Sequence, residues 1–198
     1  KDTWAVTFTS PTPEGVTYLG RNHPFVATLA QYLFEQALEG THANPVVMRC
    51  GAIRTRAVSR LTALLLLRVR YRLTRPGYTD LLAEEVFLTG REGFDGAWLS
   101  PDAALRLFTA AQPDANIPEG EKRELVRLVL DDLKPLVTPD TPGETNGIWQ
   151  VIAARARELE AAHRRIRQHL GQPEDVRLHP HWPPDLLGLL VLQPLRGG

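Results

Sequence analysis

One cysteine in 198 residues, Cys50, excludes an internal disulfide and suits a reducing cytoplasm. Lysine is nearly missing as well. Lys1, Lys122 and Lys134 are the only ones, so the basic side chains are almost all arginine, whose planar fork matches phosphate and carboxylate. A GC-rich coding sequence would leave the same bias. The longest apolar run, Ala63 to Leu67, falls far short of the roughly 20 residues a membrane span needs. No basic stretch leads into an apolar one at the start, so the expectation is a cytoplasmic chain with no membrane partner.

Chemistry-bearing motifs are also absent. No glycine-rich loop ends in Gly-Lys-Ser or Gly-Lys-Thr, and neither a dinucleotide fingerprint nor a Gly-x-Ser-x-Gly elbow occurs. Cys50 in "MRCGAIR" lacks a nucleophile signature and reads as a small apolar residue. No catalytic residue is therefore assigned, and the fragment is not expected to be an enzyme or to hold a cofactor. "HPHWPPD" offers His179, His181 and Asp185 to a metal, but prolines alone explain it as a rigid turn, and a metal hydrolase is only the third reading. His23 and His42 are isolated, and no metal site is assigned.

What is present is an uneven charge. From Gly40 to Thr79 there is no Asp or Glu, while Arg49, Arg54, Arg56, Arg60, Arg68, Arg70, Arg72 and Arg75 all fall there. The net charge of the chain is zero, so the remainder carries the balancing excess of acid. Such asymmetry points to an anionic partner. Its centre is "RVRYRLTR". In a strand, alternate side chains share a face, which sets Arg68, Arg70 and Arg72 on one side and Val69, Tyr71 and Leu73 on the other. The row can grip phosphates, pair with carboxylates across the sheet, or stand in water.

Periodicity places the elements. "TWAVTFT" and "VTYLG" read as strands, and Asn22 as the cap of a helix running to Leu38, with Gly40 ending it. Pro45 to Arg60 is ambiguous. Leu61–Thr74 and "DLLAEEVFLTG" form a hairpin around "RPGY". A register pairing Val69 with Val86 sets Arg70 opposite Glu85, which gives the structural answer for part of the row. "LSPDAALRLFTAAQ" has Ser100 as cap and Pro101 at the first helical position. "PEGEKRELVRLVLDDLKPLV" is a second helix, and the longest runs from about Glu144 to Leu170. The stripe Ile148, Ile152, Leu159, Ala162, Ile166 and Leu170 is expected to pack on the sheet. Arg157, Arg164 and Arg167 point outward from that helix, either as partners of Glu160 or as a basic strip for a phosphate backbone. Leu186 to Leu192 is apolar enough for a central strand. The fold class expected is α+β, an antiparallel sheet with helices packed on one face, as a single domain over residues 1–198.

"YLGRNHPFVATLAQYLFEQAL", "LLLLRVRYRL…LLAEEV", "ARARELEAAHRRIRQ" and "PPDLLGLLVLQP" stand in an order that resembles the C-terminal region of bacterial Swi/Snf-type, RapA-like ATP-dependent helicases. The chain begins without Met and is read as a piece of such a longer protein. The resemblance implies a parent with two RecA-like motor lobes that use ATP and Mg, none of whose motifs lies here. It implies a C-terminal accessory domain, and the leading expectation is nucleic-acid binding, to duplex DNA. Arg68, Arg70, Arg72, Arg75, Arg157, Arg164 and Arg167 are the candidate phosphate contacts. The alternative is a protein-interaction module that docks on the motor lobes or on RNA polymerase.

Overall fold

The computed structural model describes residues 3–39, 49–137, 141–143, 145–171 and 175–195. The expected Gly40 stop, His42 and Glu144 lie outside them. Two compact units are seen, Lys1–Arg49 and Cys50–Gly198, which divide the span expected as one domain.

In the first unit, β1 (Val6–Thr7) and β2 (Thr17–Tyr18) pair in parallel ahead of α1 (Pro24–Glu39). His23, rather than Asn22, caps α1. Its carbonyl accepts from Ala27 N–H, and its Nδ1 accepts from Phe25 N–H at 3.2 Å, leaving proline harmlessly in the first turn. Trp4 stands edge-on to Phe25, their rings 5.3 Å apart, and Leu19 is buried.

In the second unit the strands are β3 (Cys50–Thr55), β4 (Thr62–Thr74), β5 (Leu81–Glu92), β6 (Trp98–Leu99), β7 (Arg177–Pro180) and β8 (Asp185–Pro194). Its helices are α2 (Pro101–Ala110), α3 (Glu119–Val137) and α4 (Gly147–His169). The fold is α+β, with sheet order β3-β8-β4-β5-β6 and β7 also paired to β4. β8 is central, as its apolar run requires.

Two particulars go beyond an antiparallel sheet with helices on one face. β3 pairs β8 in parallel, so the sheet is mixed; this strand lies in the stretch whose sequence was ambiguous. And α2 lies on the face opposite α3 and α4. The reason is legible in β4, which is apolar on both faces over its first half and on one face over its second. Leu65, Leu67, Val69 and Tyr71 join Val129, Leu133, Ile148 and Ile152 in the main core beneath α3 and α4. On the other face Leu64 and Leu192 need a cover, and Ala104 and Leu107 of α2 supply it. Beyond α2 that second face turns to arginine.

The helix starts are local and specific. Ser100 Oγ accepts from Ala103 N–H, with Pro101 in the first turn, as the sequence predicts. Asn146 caps α4, accepting from Trp149 N–H while its amide donates to Leu136 O at the end of α3. A Cβ at Gly147 would collide with the Trp98 indole, so glycine is what lets α4 start against β6.

Candidate nucleic-acid interface

β4 carries Arg68, Arg70 and Arg72 on the face and in the half that α2 leaves open, and carboxylates come with them. Arg68 Nε donates to Asp185 Oδ2 at 2.9 Å, and Arg70 reaches the same oxygen at 2.6 Å. Arg70 Nε also lies 3.4 Å from Glu84 Oε1, and Arg72 lies 3.9 Å from Asp80. The hydrogen bond from Arg68, and then the charges of both arginines, hold the Asp185 carboxyl below its usual range against the opposing effect of burial. Two arginines thus share one carboxylate delivered by β8, whose register sets Asp185 directly across from Arg68.

The hairpin register differs by one residue from the expected pairing. Val69 lies opposite Glu85, and Arg70 opposite Glu84. Burial decides it, because this register brings buried Phe87 against Leu67 and buried Thr89 against Leu65, and a one-residue slip would turn both outward. Glu85 consequently points to the helical side. There Arg155 of α4 donates to it at 2.6 Å and to Glu158 at 3.0 Å. Tyr71 is buried beside this pair. Burial first, and the Glu85 charge second, push its phenol far above the usual range. Sequence reasoning missed Arg155, because its partner lies 70 residues away and no local pattern announces it.

Arg75 lies at the hairpin turn, its guanidinium 4.5 Å above the Tyr78 ring. On α4, Arg157 and Arg164 are exposed and Arg167 is half-buried. Glu160 does not pair with Arg164; its Oε1 accepts from Leu178 N–H at 2.7 Å, tying α4 to β7. For Arg157, Arg164 and the neighbouring exposed Arg165, the described residues supply no carboxylate partner to the side chain. From residue 161 to 171 there is no Asp or Glu at all. The apolar stripe is buried at Ile148, Ile152 and Ala156, but Ile166 is 59% and Leu170 63% exposed, so the last turns of α4 leave the core. The seven candidate arginines therefore form no single surface. The strand row faces away from α3 and α4, while the helix set belongs to the layer on the other side.

The "HPH" turn is structural in its contacts. His179 Nε2 meets Thr74 Oγ1 at 3.2 Å, and His181 N–H donates to Arg70 O. Among the described residues no three His, Cys, Asp or Glu side chains converge as a metal site would need. A cleft of about 610 Å³ opens at the starts of α2 and α4, walled by Arg91, Trp98, Gly147 and Arg155. Both arginines are engaged, Arg91 by Asp132 at 2.9 Å and Arg155 by its two glutamates. No helix among the described residues is long and apolar enough to cross a membrane.

A family model described as "Domain of unknown function (DUF8741)" matches residues 36–197. No curated protein and no solved structure matches the chain.

Proposed function

The chain belongs to that family, and from the geometry we propose that it is a non-catalytic accessory domain that holds nucleic acid with the basic end of α4. Its setting, on the sequence resemblance, is the C-terminal region of a bacterial, cytoplasmic Swi/Snf-type helicase whose ATP and Mg chemistry belongs to motor lobes elsewhere. The observation that carries the reading is the acid-free run 161–171, where Arg164 and Arg165 stand exposed. A phosphate backbone attracts guanidinium that no carboxylate already occupies, and such contacts give affinity without reading sequence. The strand row supports this assignment by contrast, since Asp185, Glu84 and Asp80 already answer Arg68, Arg70 and Arg72.

The test is the salt dependence of duplex DNA binding. Replacing Arg157, Arg164 and Arg165 with glutamine is expected to make the slope of log affinity against log salt shallower by about two to three. The triple replacement of Arg68, Arg70 and Arg72 is expected to leave it unchanged. If the strand variant alone flattens the slope, or the chain does not bind DNA, the helix assignment is wrong. Docking on the motor lobes or RNA polymerase is favoured by a separate observation: Phe25, Leu29, Tyr32 and Phe34 of α1 are each about half exposed.

A further inference from the structure

β5 has two edges, and one of them is open. Gly93, just past its end, donates its N–H to Leu61 O, on the β4 side. Backbone groups alternate along a strand, so with the unbroken register of β4 and β5 the odd-numbered residues of β5 face β4 and the even-numbered ones face away. Glu92 confirms the phase, its N–H directed outward to Ala97 O. β6 takes up this outer edge only at Gly90 and Arg91. At Leu82, Glu84 and Val86 the outward N–H and C=O have no backbone partner among the described residues. The three side chains share the arginine face. Leu82 is 70% and Val86 53% exposed, and the Glu84 side chain between them is 46% exposed.

An open, regular edge with apolar side chains is a template for another strand, and proteins that do not use such an edge usually blunt it with lysine, proline or a bulge. Between Leu81 and Leu88 there is no lysine, proline or bulge; the charges there are Glu84, on the arginine face, and Glu85, turned to the helical side and paired with Arg155. We propose that the outer edge of β5, at Leu82, Glu84 and Val86, accepts an added β-strand from a partner protein. The segment it takes is extended and sets a basic side chain between two apolar ones. The main chain supplies the ladder, Leu82 and Val86 supply apolar neighbours, and Glu84, whose contact with Arg70 is a long 3.4 Å because Arg70 holds Asp185 at 2.6 Å, selects the basic residue between them. A second copy of the chain fits poorly. The two-fold registers that use the whole open stretch centre on Glu84 or Glu85, and each opposes a glutamate to its own copy. The proposal does not depend on α4 or on DNA.

The experiment is residue-resolved amide exchange on the full chain. The probe is a blocked heptapeptide with valine, arginine and valine at alternate positions and threonine between them. The N–H groups of Leu82, Glu84 and Val86 are expected to exchange rapidly in the free chain and to become protected when the peptide is added. Glu84→Lys is expected to weaken the arginine peptide by about fivefold to tenfold, as a favourable cross-strand pair becomes a repulsive one, and to favour a glutamate-bearing peptide instead. Protection of these amides in the dilute free chain would mean that the edge is already covered, and would overturn the proposal. So would binding that leaves them unprotected, or equal affinity of Glu84→Lys for both peptides. Protection that appears on raising the protein concentration alone would give the edge to a second copy and overturn the partner strand.

Discussion

The two faces of β4 are one stretch of backbone in two environments. On the helical side Val69 is 0% and Tyr71 1% exposed, beneath α3 and α4, while one residue away the Arg68 and Arg70 side chains are each 40% exposed. The buried face is held by apolar area, which is removed from water and is not screened by salt as ion pairs are. The open face is held by ion pairs that remain in reach of water, where each pair contributes little. Over this second half of β4, beyond the part that α2 covers, stability is therefore concentrated on one side of the sheet, and the other side is left adjustable. The same contrast recurs along α4, between buried Ile152 and exposed Ile166 on one stripe.

The largest effect expected from breaking this contrast is at Ile152. Ile152→Asp places an unpaired carboxylate in the main core and is expected to destabilise by more than about 4 kcal/mol, enough to leave the chain unfolded or nearly so. Ile166→Asp, on the same stripe, is expected to stay within about 0.5 kcal/mol of wild type. Chemical denaturation of the pair measures both. Similar losses would mean that the last turns of α4 are covered.

Next is an ion pair on the helical side, Arg155 with Glu85. Glu85→Gln leaves Arg155 with Glu158 alone and is expected to cost about 1–3 kcal/mol in urea denaturation, the range for a hydrogen-bonded charge losing its partner. Because the Glu85 charge raises the Tyr71 phenol, the same variant is expected to lower the pH at which that tyrosine ionises in an ultraviolet titration. A tyrosine titration that does not move would place Glu85 too far away to act.

These contrasts were partly legible in the sequence. The cap at Ser100 and Pro101, the hairpin around "RPGY" and the central place of β8 follow from local pattern, because each depends on neighbours in the chain. Two facts do not. The hairpin register turns on which of Phe87 and Val86 is buried, and both are apolar, so alternation alone left it one residue out. Asp185 lies 117 residues from Arg68, and only the assembled sheet brings them together, so the row looked freer in the sequence than it is. The stripe of α4 continues in the sequence beyond Leu159, but its periodicity cannot say where the cover ends. That limit is also why Arg164 and Arg165 emerge as the better phosphate candidates only once the fold is known.

A smaller effect is expected on the open face. Replacing Arg68, Arg70 and Arg72 together with glutamine removes four ion contacts, all involving half-exposed groups. The expected loss is about 1 kcal/mol or less, read as a shift in the thermal midpoint that shrinks with added salt. A loss of several kcal/mol would show that this face also carries the fold, and the distinction between the two sides would fail.

The smallest effect isolates one carboxylate. The folded-state pKa of Asp185 is lowered, so the unfolded chain takes up its proton at a higher pH than the folded chain does. The stability it contributes is therefore fully present above the unfolded value, about pH 4, and is lost as pH falls through the folded value. Asp185→Asn removes the charge at every pH. Near pH 7 the variant is expected to be less stable by a few tenths to about 1 kcal/mol, because the carboxylate is partly solvated. As pH drops below about 4 the gap to wild type is expected to close, since the wild-type carboxyl is then neutral too. Urea midpoints for the two proteins across this range decide it. A gap that persists undiminished in acid would mean that Asp185 acts as a neutral hydrogen-bond acceptor, and that the arginines above it are not held by its charge.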